Sequence, residues 1–214
     1  DDLGHEFSSS KKLGEKLEEI QPIILIPMAG EGKRFKNEGI NKPKFMIQVK
    51  NKTLFEWSLE SLPTDISKKI IFICLEEHEK KFKVSEFIKK IMNKNFLNSK
   101  YELVFIKNIT GGQVETVLHA KHLIRPDNSI IIYNIDTRFI STRLKSKILT
   151  MKNNDVDGLL GCYPSNDENL SFVKLNKKGF VEQVAEKEKI SNYASTGLYI
   201  FTKAEQFFKA GQEM

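Results

Sequence analysis

Apolar residues along this chain gather into short dense runs, separated by longer stretches whose apolar positions recur every three or four residues. That alternation predicts strands alternating with helices. Ile23-Ile-Leu-Ile26, Ile70-Ile-Phe-Ile-Cys-Leu75, Tyr101 to Ile106 and Ser129-Ile-Ile-Ile-Tyr-Asn-Ile135 are rich in β-branched and aromatic side chains and too short for core helices. A helix is expected between the first two runs. Thr53 stands at its N-cap with Glu56 at the capping-box position, and Phe55, Leu59 and Leu62 share one face. Trp57 lies off that stripe and reads as packed or partly exposed. A basic helix over about Glu77 to Asn93 turns Val84, Phe87, Ile88 and Ile91 inward. A third begins in Gly111-Gly-Gln-Val-Glu-Thr116 and runs to about Ile124, ended by Arg125-Pro-Asp-Asn128. Strands that are apolar throughout are buried on both faces. The expected fold is therefore α/β, a Rossmann-like, mostly parallel mixed sheet flanked by helices.

The second half of the chain reads differently. A polar helix is expected over about Thr142 to Asn153, then a strand from Gly158 to Cys162. Phe172-Val-Lys-Leu175 and Phe180 to Ala185, joined by Asn176-Lys-Lys-Gly179, predict a β-hairpin. Gly197 to Phe201 predicts another strand, and a last helix starts near Lys203. Phe45-Met-Ile-Gln-Val49 reads as a short strand before a turn at Asn51-Lys52. Residues 1–20 are expected to be an extension or linker with a short amphipathic helix, Leu13 to Ile20, and residues 21–214 to be one domain.

Composition sharpens this only modestly. The chain has 214 residues, 40% hydrophobic and 29% charged, which are globular values. No apolar run approaches the roughly 20 residues of a membrane span, and the polar start carries no secretory pattern, so a soluble cytoplasmic protein is expected. The net charge of +6 is spread along the chain, and Lys80-Lys81-Phe-Lys83 and Lys89-Lys90 read as solvated helix faces. A mild basic balance suits a small anionic substrate, and no nucleic-acid motif or membrane segment accompanies it. Cys74 and Cys162 both lie in apolar stretches and read as buried free thiols. His119 and His122 have no third metal ligand beside them and read as ordinary helix residues.

The chemistry concentrates where the first strand ends. It runs into Gly30 and Gly32, then Lys33 and Arg34. Glycines at a strand end bring bare N–H groups close to an anion, and cations beside them suit phosphates. A Walker P-loop is excluded, because Pro27 stands where its first glycine belongs and Arg34 where Ser or Thr should follow Lys33. A dinucleotide fingerprint fails at Phe35, where its third glycine belongs. The bland alternative, a tight turn with solvated lysines, does not account for Arg34, Pro43 and Lys44 at their spacing. Asp136 ends the fourth strand, where ligands gather in open α/β sheets, and a lone carboxylate there suits Mg²⁺; equally, it caps its loop or pairs Arg138.

The stretch Pro27-Met-Ala-Gly-x-Gly-x-Arg-Phe35, followed by Lys42-Pro-Lys44, resembles the signature of the sugar-phosphate nucleotidylyltransferases and their cytidylyltransferase relatives. The resemblance extends over about Ile23 to Phe201 and implies a nucleotide-diphospho-sugar transferase-like fold. By this resemblance Met28, Ala29, Gly30 and Gly32 wrap a nucleoside triphosphate, and Arg34 and Lys44 are catalytic residues on its phosphates. Gly111, Gly112, Gln113 and Thr116 line the base and sugar, and Asp136 carries Mg²⁺. Val184-Ala-Glu-Lys187 and Ala194-Ser-Thr-Gly-Leu-Tyr199 resemble the acceptor motifs, so Glu186, Lys187 and Gly197 are expected to hold the acceptor. Two departures stand out. Glu188-Lys189 repeats the Glu-Lys pair where the family commonly has proline, and no second metal-binding Asp follows before Met214. The domain is therefore expected to be shortened at its C-terminus.

The form of the loop is most like bacterial capsule and surface-polysaccharide enzymes. The expected activity is transfer of a nucleoside monophosphate, with CTP favoured as donor, to a small phosphorylated acceptor with release of pyrophosphate. UTP or dTTP with a sugar 1-phosphate is the alternative within the enzymes. An inactive nucleotide-binding partner domain, a homo-oligomer and a larger multidomain chain stay open.

Overall fold

In the computed structural model, which describes residues 21–30, 32–151 and 156–213, the period of two along each strand divides the core into two layers. The first strand, β1 (Ile23–Pro27), pairs in parallel with β4 (Lys69–Leu75) on one side and with β6 (Ile130–Tyr133) on the other. The outer parallel strand, β5 (Tyr101–Ile106), pairs with β4. Ile24, Ile26, Ile70, Phe72, Ile131 and Tyr133 face one layer; Ile23, Leu25, Ile71, Ile73, Ile130 and Ile132 face the other. The first layer is covered by α2 (Leu54–Leu59), α4 (Val84–Asn95) and α6 (Leu144–Thr150), through Phe55, Leu59, Val84, Ile88 and Ile148. The second is covered by α5 (Gln113–Leu118) and α7 (Ala204–Gln212), through Val117, Phe207 and Phe208. Helices on both faces are what a parallel sheet needs, because its crossovers place them there.

The order continues beyond β6 in antiparallel fashion. The long strand β10 (Tyr193–Phe201) runs against β6, against β7 (Gly158–Pro164) and, at Ala194, against β8 (Ser171–Leu175). β8 makes a hairpin with β9 (Val181–Glu186), closed by Gly179 at φ +83° and by Asn176, whose side-chain oxygen accepts from the N–H groups of Lys178 and Phe180. The sheet order is β5-β4-β1-β6-β10-β8-β9. The chain therefore adds β4 and β5 on one side of β1 and then crosses back to place β6 on the other, and ligand crevices in open α/β sheets open at such a switch point.

Several expected elements differ in detail. Phe45 to Val49 is not one strand: Lys44–Met46 is a 3-10 turn that buries Phe45, and β2 (Gln48–Val49) and β3 (Lys52–Thr53) form a separate two-residue ladder. The basic helix is broken into α3 (Glu76–Phe82) and α4 at Lys83, whose φ is +49°. The Glu79 carboxylate accepts from the Ser85 N–H at 2.8 Å and from the Ser85 hydroxyl at 2.6 Å, so it caps the second helix and redirects the chain. The helix expected up to Ile124 ends as α5 at Leu118, with a separate 3-10 turn at Lys121–Leu123. Cys162 is exposed on β7, not buried, whereas burial pushes the Cys74 thiol up to about 12. The short helix expected over Leu13 to Ile20 lies outside the described residues. None of the described helices is long and apolar enough to cross a membrane.

Candidate active site

Two loops meet above the switch point because the strands feeding them are neighbours. After β1 the chain runs over the sheet, with Met28 buried and its N–H donated to Ile73 O at 2.8 Å. Gly32, at φ +64°, caps the short α1 (Lys33–Asn37), and Arg34 lies in that helix. The chain returns through Pro43 into the 3-10 turn, whose first residue is Lys44. After β6, Asp136 sits at the same edge. The Lys44 Nζ is 2.7 Å from Asp136 Oδ2, a pair joining residues 92 apart in sequence and partly open to solvent.

On one side of this pair lies a cavity of about 210 Å³ lined by Ala29, Gly30, Lys44, Gly112, Gln113 and Thr116, together with Asn134. A β-carbon built onto Gly30 or Gly112 meets nothing within 4 Å, so bare backbone faces open space from both walls. Thr116 is buried. Its hydroxyl reaches Gly112 O at 2.9 Å and Thr110 Oγ1 at 2.5 Å, which sets the bend into α5. Gly111 donates its N–H to Glu115 Oε2 at 2.6 Å. Six of the residues expected at the nucleotide thus converge on one cavity, with Met28 beneath it, Gly32 on the α1 side and Gly111 just before its wall.

On the other side lies a larger cavity of about 760 Å³, with Asp136, Thr137, Arg138, Ser195, Thr196 and Gly197 in its walls. Asn134 lines both cavities. Its Oδ1 accepts from Gln113 Nε2 at 3.0 Å, and its Nδ2 is 2.2 Å from where a β-carbon on Gly197 would stand. Gly197, at φ +75°, sits in a bulge where Thr196, Gly197 and Leu198 of β10 oppose the single Gly161 of β7. The approach that requires glycine here is therefore that of Asn134.

Glu186 and Lys187 are not among the residues of these walls. Glu186 is the last residue of β9, paired with Ser171, Lys187 follows it, and both are exposed, with Lys187 Nζ 3.7 Å from Glu186 Oε1. The Lys187 backbone, at φ +55°, donates its N–H to Leu170 O at 2.9 Å, and Leu170 belongs to the larger cavity. Lys189 is turned away, onto Asn166 Oδ1 at 3.0 Å. Sequence reasoning missed Asn134 and Thr110 and left Arg138 only as a partner for Asp136. Their one legible signal was adjacency to Asp136 and Gly111.

The loop after Asp136 is held firmly. Thr137 O accepts from the Tyr133 hydroxyl at 2.7 Å and from the Ser58 hydroxyl at 2.8 Å. Burial pushes the Tyr133 phenol well above its ordinary value, so it stays a donor. Among the described residues no three acidic, histidine or cysteine side chains gather for a metal. A single exposed carboxylate already facing a cation nevertheless suits Mg²⁺, which takes one or two carboxylates along with substrate phosphates.

Known proteins share this fold. A nucleoside-diphosphate-sugar pyrophosphorylase from Vibrio cholerae RC9 is similar over 89% of this chain and 77% of its own, at 31% identity and a TM-score of 0.73. A UDP-glucose pyrophosphorylase structure and the inositol-1-phosphate CTP transferase from T. maritima share the fold, each at 17% identity, with TM-scores of 0.72 and 0.69. The former covers 91% of this chain and 80% of its own, the latter 87% and 72%. A protein of Encephalitozoon cuniculi named "Probable UDP-N-acetylglucosamine pyrophosphorylase" is 37% identical over 68 residues, which is 31% of this chain and 18% of that protein. The match to the nucleotidyl transferase family spans residues 21–211, both glycine loops and both cavities included, and the chain belongs to that family.

Proposed function

We propose that the protein transfers a nucleoside monophosphate from a pyrimidine nucleoside triphosphate to a sugar 1-phosphate or a related phosphorylated alcohol. An oxygen of the acceptor phosphate attacks the α-phosphorus, the bond to the bridging oxygen breaks, and pyrophosphate leaves. The observation that carries this reading is the Lys44–Asp136 pair at the switch point, standing between two cavities that share Asn134 as a wall. The smaller cavity takes the nucleotide, whose phosphates lie along Gly30 and Lys44, with Arg34 in the short helix that follows the loop. The larger takes the acceptor. In such a step the protein positions two anions and stabilises charge, and Lys44 does so at the α-phosphate. Asp136 would hold Mg²⁺, which when bound neutralises phosphate charge. The names of the Vibrio and Encephalitozoon relatives weigh toward a sugar 1-phosphate and UTP, whereas the form of the loop weighs toward CTP.

The test is a melting series with ATP, GTP, CTP, UTP and dTTP, each with and without Mg²⁺, followed by pyrophosphate release with glucose 1-phosphate, N-acetylglucosamine 1-phosphate and phosphocholine. A ligand at a hundred times its dissociation constant stabilises by about 2.7 kcal/mol. One pyrimidine triphosphate is expected to stabilise selectively and to release pyrophosphate with one acceptor. A shift without pyrophosphate release favours the inactive-partner reading. No shift with any nucleotide overturns the assignment of the glycine loop.

A further inference from the structure

The larger cavity contains a cation whose hydrogen-bonding capacity is unspent. Arg138 lies two residues past Asp136 and lines the cavity wall. Its backbone is fixed on both sides. Thr137 is held as described above, and the Phe139 N–H donates to Ser61 Oγ at 3.0 Å while its ring meets Tyr133 edge-on at 5.5 Å. The head of the exposed side chain has an aromatic seat. Its guanidinium carbon lies 4.5 Å from the centroid of the Trp57 ring, and the Trp57 indole N–H is anchored on Val49 O at 3.0 Å. A cation–π contact of this kind uses the charge of the guanidinium and leaves N–H donors available to an anion. Among the described residues no carboxylate pairs with Arg138 and no acceptor takes its N–H groups.

Among the described residues, three lysines near this cavity each have a partner of their own. Lys44 is on Asp136, Lys187 stands beside Glu186 outside the walls, and Lys189 is on Asn166. A phosphate monoester entering beside the Asp136 carboxylate needs a cation to hold it there, and the walls supply Arg138. A guanidinium fork matches two phosphate oxygens at once, which an ammonium does not. Ser195, Thr196 and Asn169 in the same walls offer hydroxyl and amide partners, which suits a hydroxylated organic group on that phosphate.

We propose that Arg138, held in place by Trp57, is the residue that grips the acceptor's phosphate monoester in the larger cavity, in place of Lys187. The identity of that ester as an acceptor rests on the nucleotidyl transfer reading; the binding of a phosphate ester there does not.

The test is calorimetric titration of the full chain with glucose 1-phosphate, N-acetylglucosamine 1-phosphate, phosphocholine and glycerol 3-phosphate, with free glucose as the uncharged control. Affinity for CTP and UTP with Mg²⁺ is measured in parallel as the check on folding. One ester is expected to bind the wild type while glucose does not. Arg138→Ala should weaken that ester at least tenfold, Arg138→Lys should recover only part of the loss, and Lys187→Ala should keep more affinity than Arg138→Ala. Trp57→Ala should weaken the ester severalfold and Trp57→Phe less, with nucleotide affinity held within about twofold in the Arg138 variants. Unchanged ester binding in Arg138→Ala, a larger loss in Lys187→Ala, or a wild type that binds nucleotide but none of the four esters overturns the assignment. A wild type that binds an ester through Arg138 but binds no nucleotide overturns the transferase reading and leaves the phosphate site standing.

Discussion

The two cavities share a wall but are built in opposite ways. Around the smaller, β1, β4 and β6 are buried on both faces, with Ile24, Leu25, Ile71 and Ile131 fully sealed, because parallel strands are joined by helices that cover the sheet. Around the larger, the strands are antiparallel and joined by short turns, so no helix has to cover them. β9 is exposed along nearly its whole length, and Phe180, Val181 and Val184 face solvent. On the proposed reading, the nucleotide would meet a fixed frame in which backbone geometry does the recognition, and the acceptor an open sheet on which side chains carried by a few anchored residues must do it. Asn134 and Gly197 couple the two.

Substitutions rank by how directly they attack this division. Lys44→Ala should lower turnover by about 10³-fold and Asp136→Asn by about 10²-fold, both with unchanged melting temperatures. Steady-state kinetics at several Mg²⁺ concentrations checks this, and a fully active variant of either would break the idea that the cavities work as one site. Gly197→Ala should cost about 1–3 kcal/mol, because a positive φ and the Asn134 amide both oppose a β-carbon. It should also weaken nucleotide binding through the Gln113–Asn134 contact. Gly179→Ala shares the positive φ but meets nothing within 4 Å, so its thermal shift should be smaller and its kinetics normal.

A gentler probe is acidity. His78 is buried against Phe45 and Phe82, and burial holds its imidazole below the ordinary value of 6.5. The unfolded chain therefore binds the proton first. The neutral ring's contribution is complete above pH 6.5 and declines as pH falls below it, by at most about 1.4 kcal/mol per unit. Melting scans between pH 7.5 and 5.5 should show this decline in the wild type and less of it in His78→Phe; equal slopes would refute it. The smallest effect is expected at the frame's edge. Thr53→Ala removes a capping box in which Thr53 Oγ1 accepts from the Glu56 N–H and Glu56 Oε2 accepts from the Thr53 N–H, and it should cost about 1 kcal/mol in denaturant unfolding with activity intact.

How far the molecule was legible follows the same division. β5 has the bounds its apolar run predicted, β1 runs one residue past its own, and the Thr53 cap is where the spacing placed it, because these signals are local. The break at Lys83 was not legible. No glycine or proline marks it, and the φ of Lys83 and the Glu79–Ser85 contact reveal the turn. The 3-10 turn at Lys44–Met46 hid in the same way inside an apolar run that looked like a strand. Glu186 pairs in register with Ser171 of the larger cavity and Lys187 follows it, yet neither is among the residues that line that cavity.

Residue patterns alone sufficed for the alternation of strands and helices, for the faces that turn inward, and for the pairing of glycines with cations at a strand end. Each of these depends on neighbours within a turn or two of chain. Tertiary structure decided that Lys44 meets Asp136, that Asn134 divides two cavities and forces glycine at 197, and that Arg138 lies over Trp57 at the wall of the larger cavity. Those contacts depend on the strand order that sets β6 between β1 and β10. That order is chosen by the burial of both sheet faces at once, a property of the whole assembly that no single segment carries.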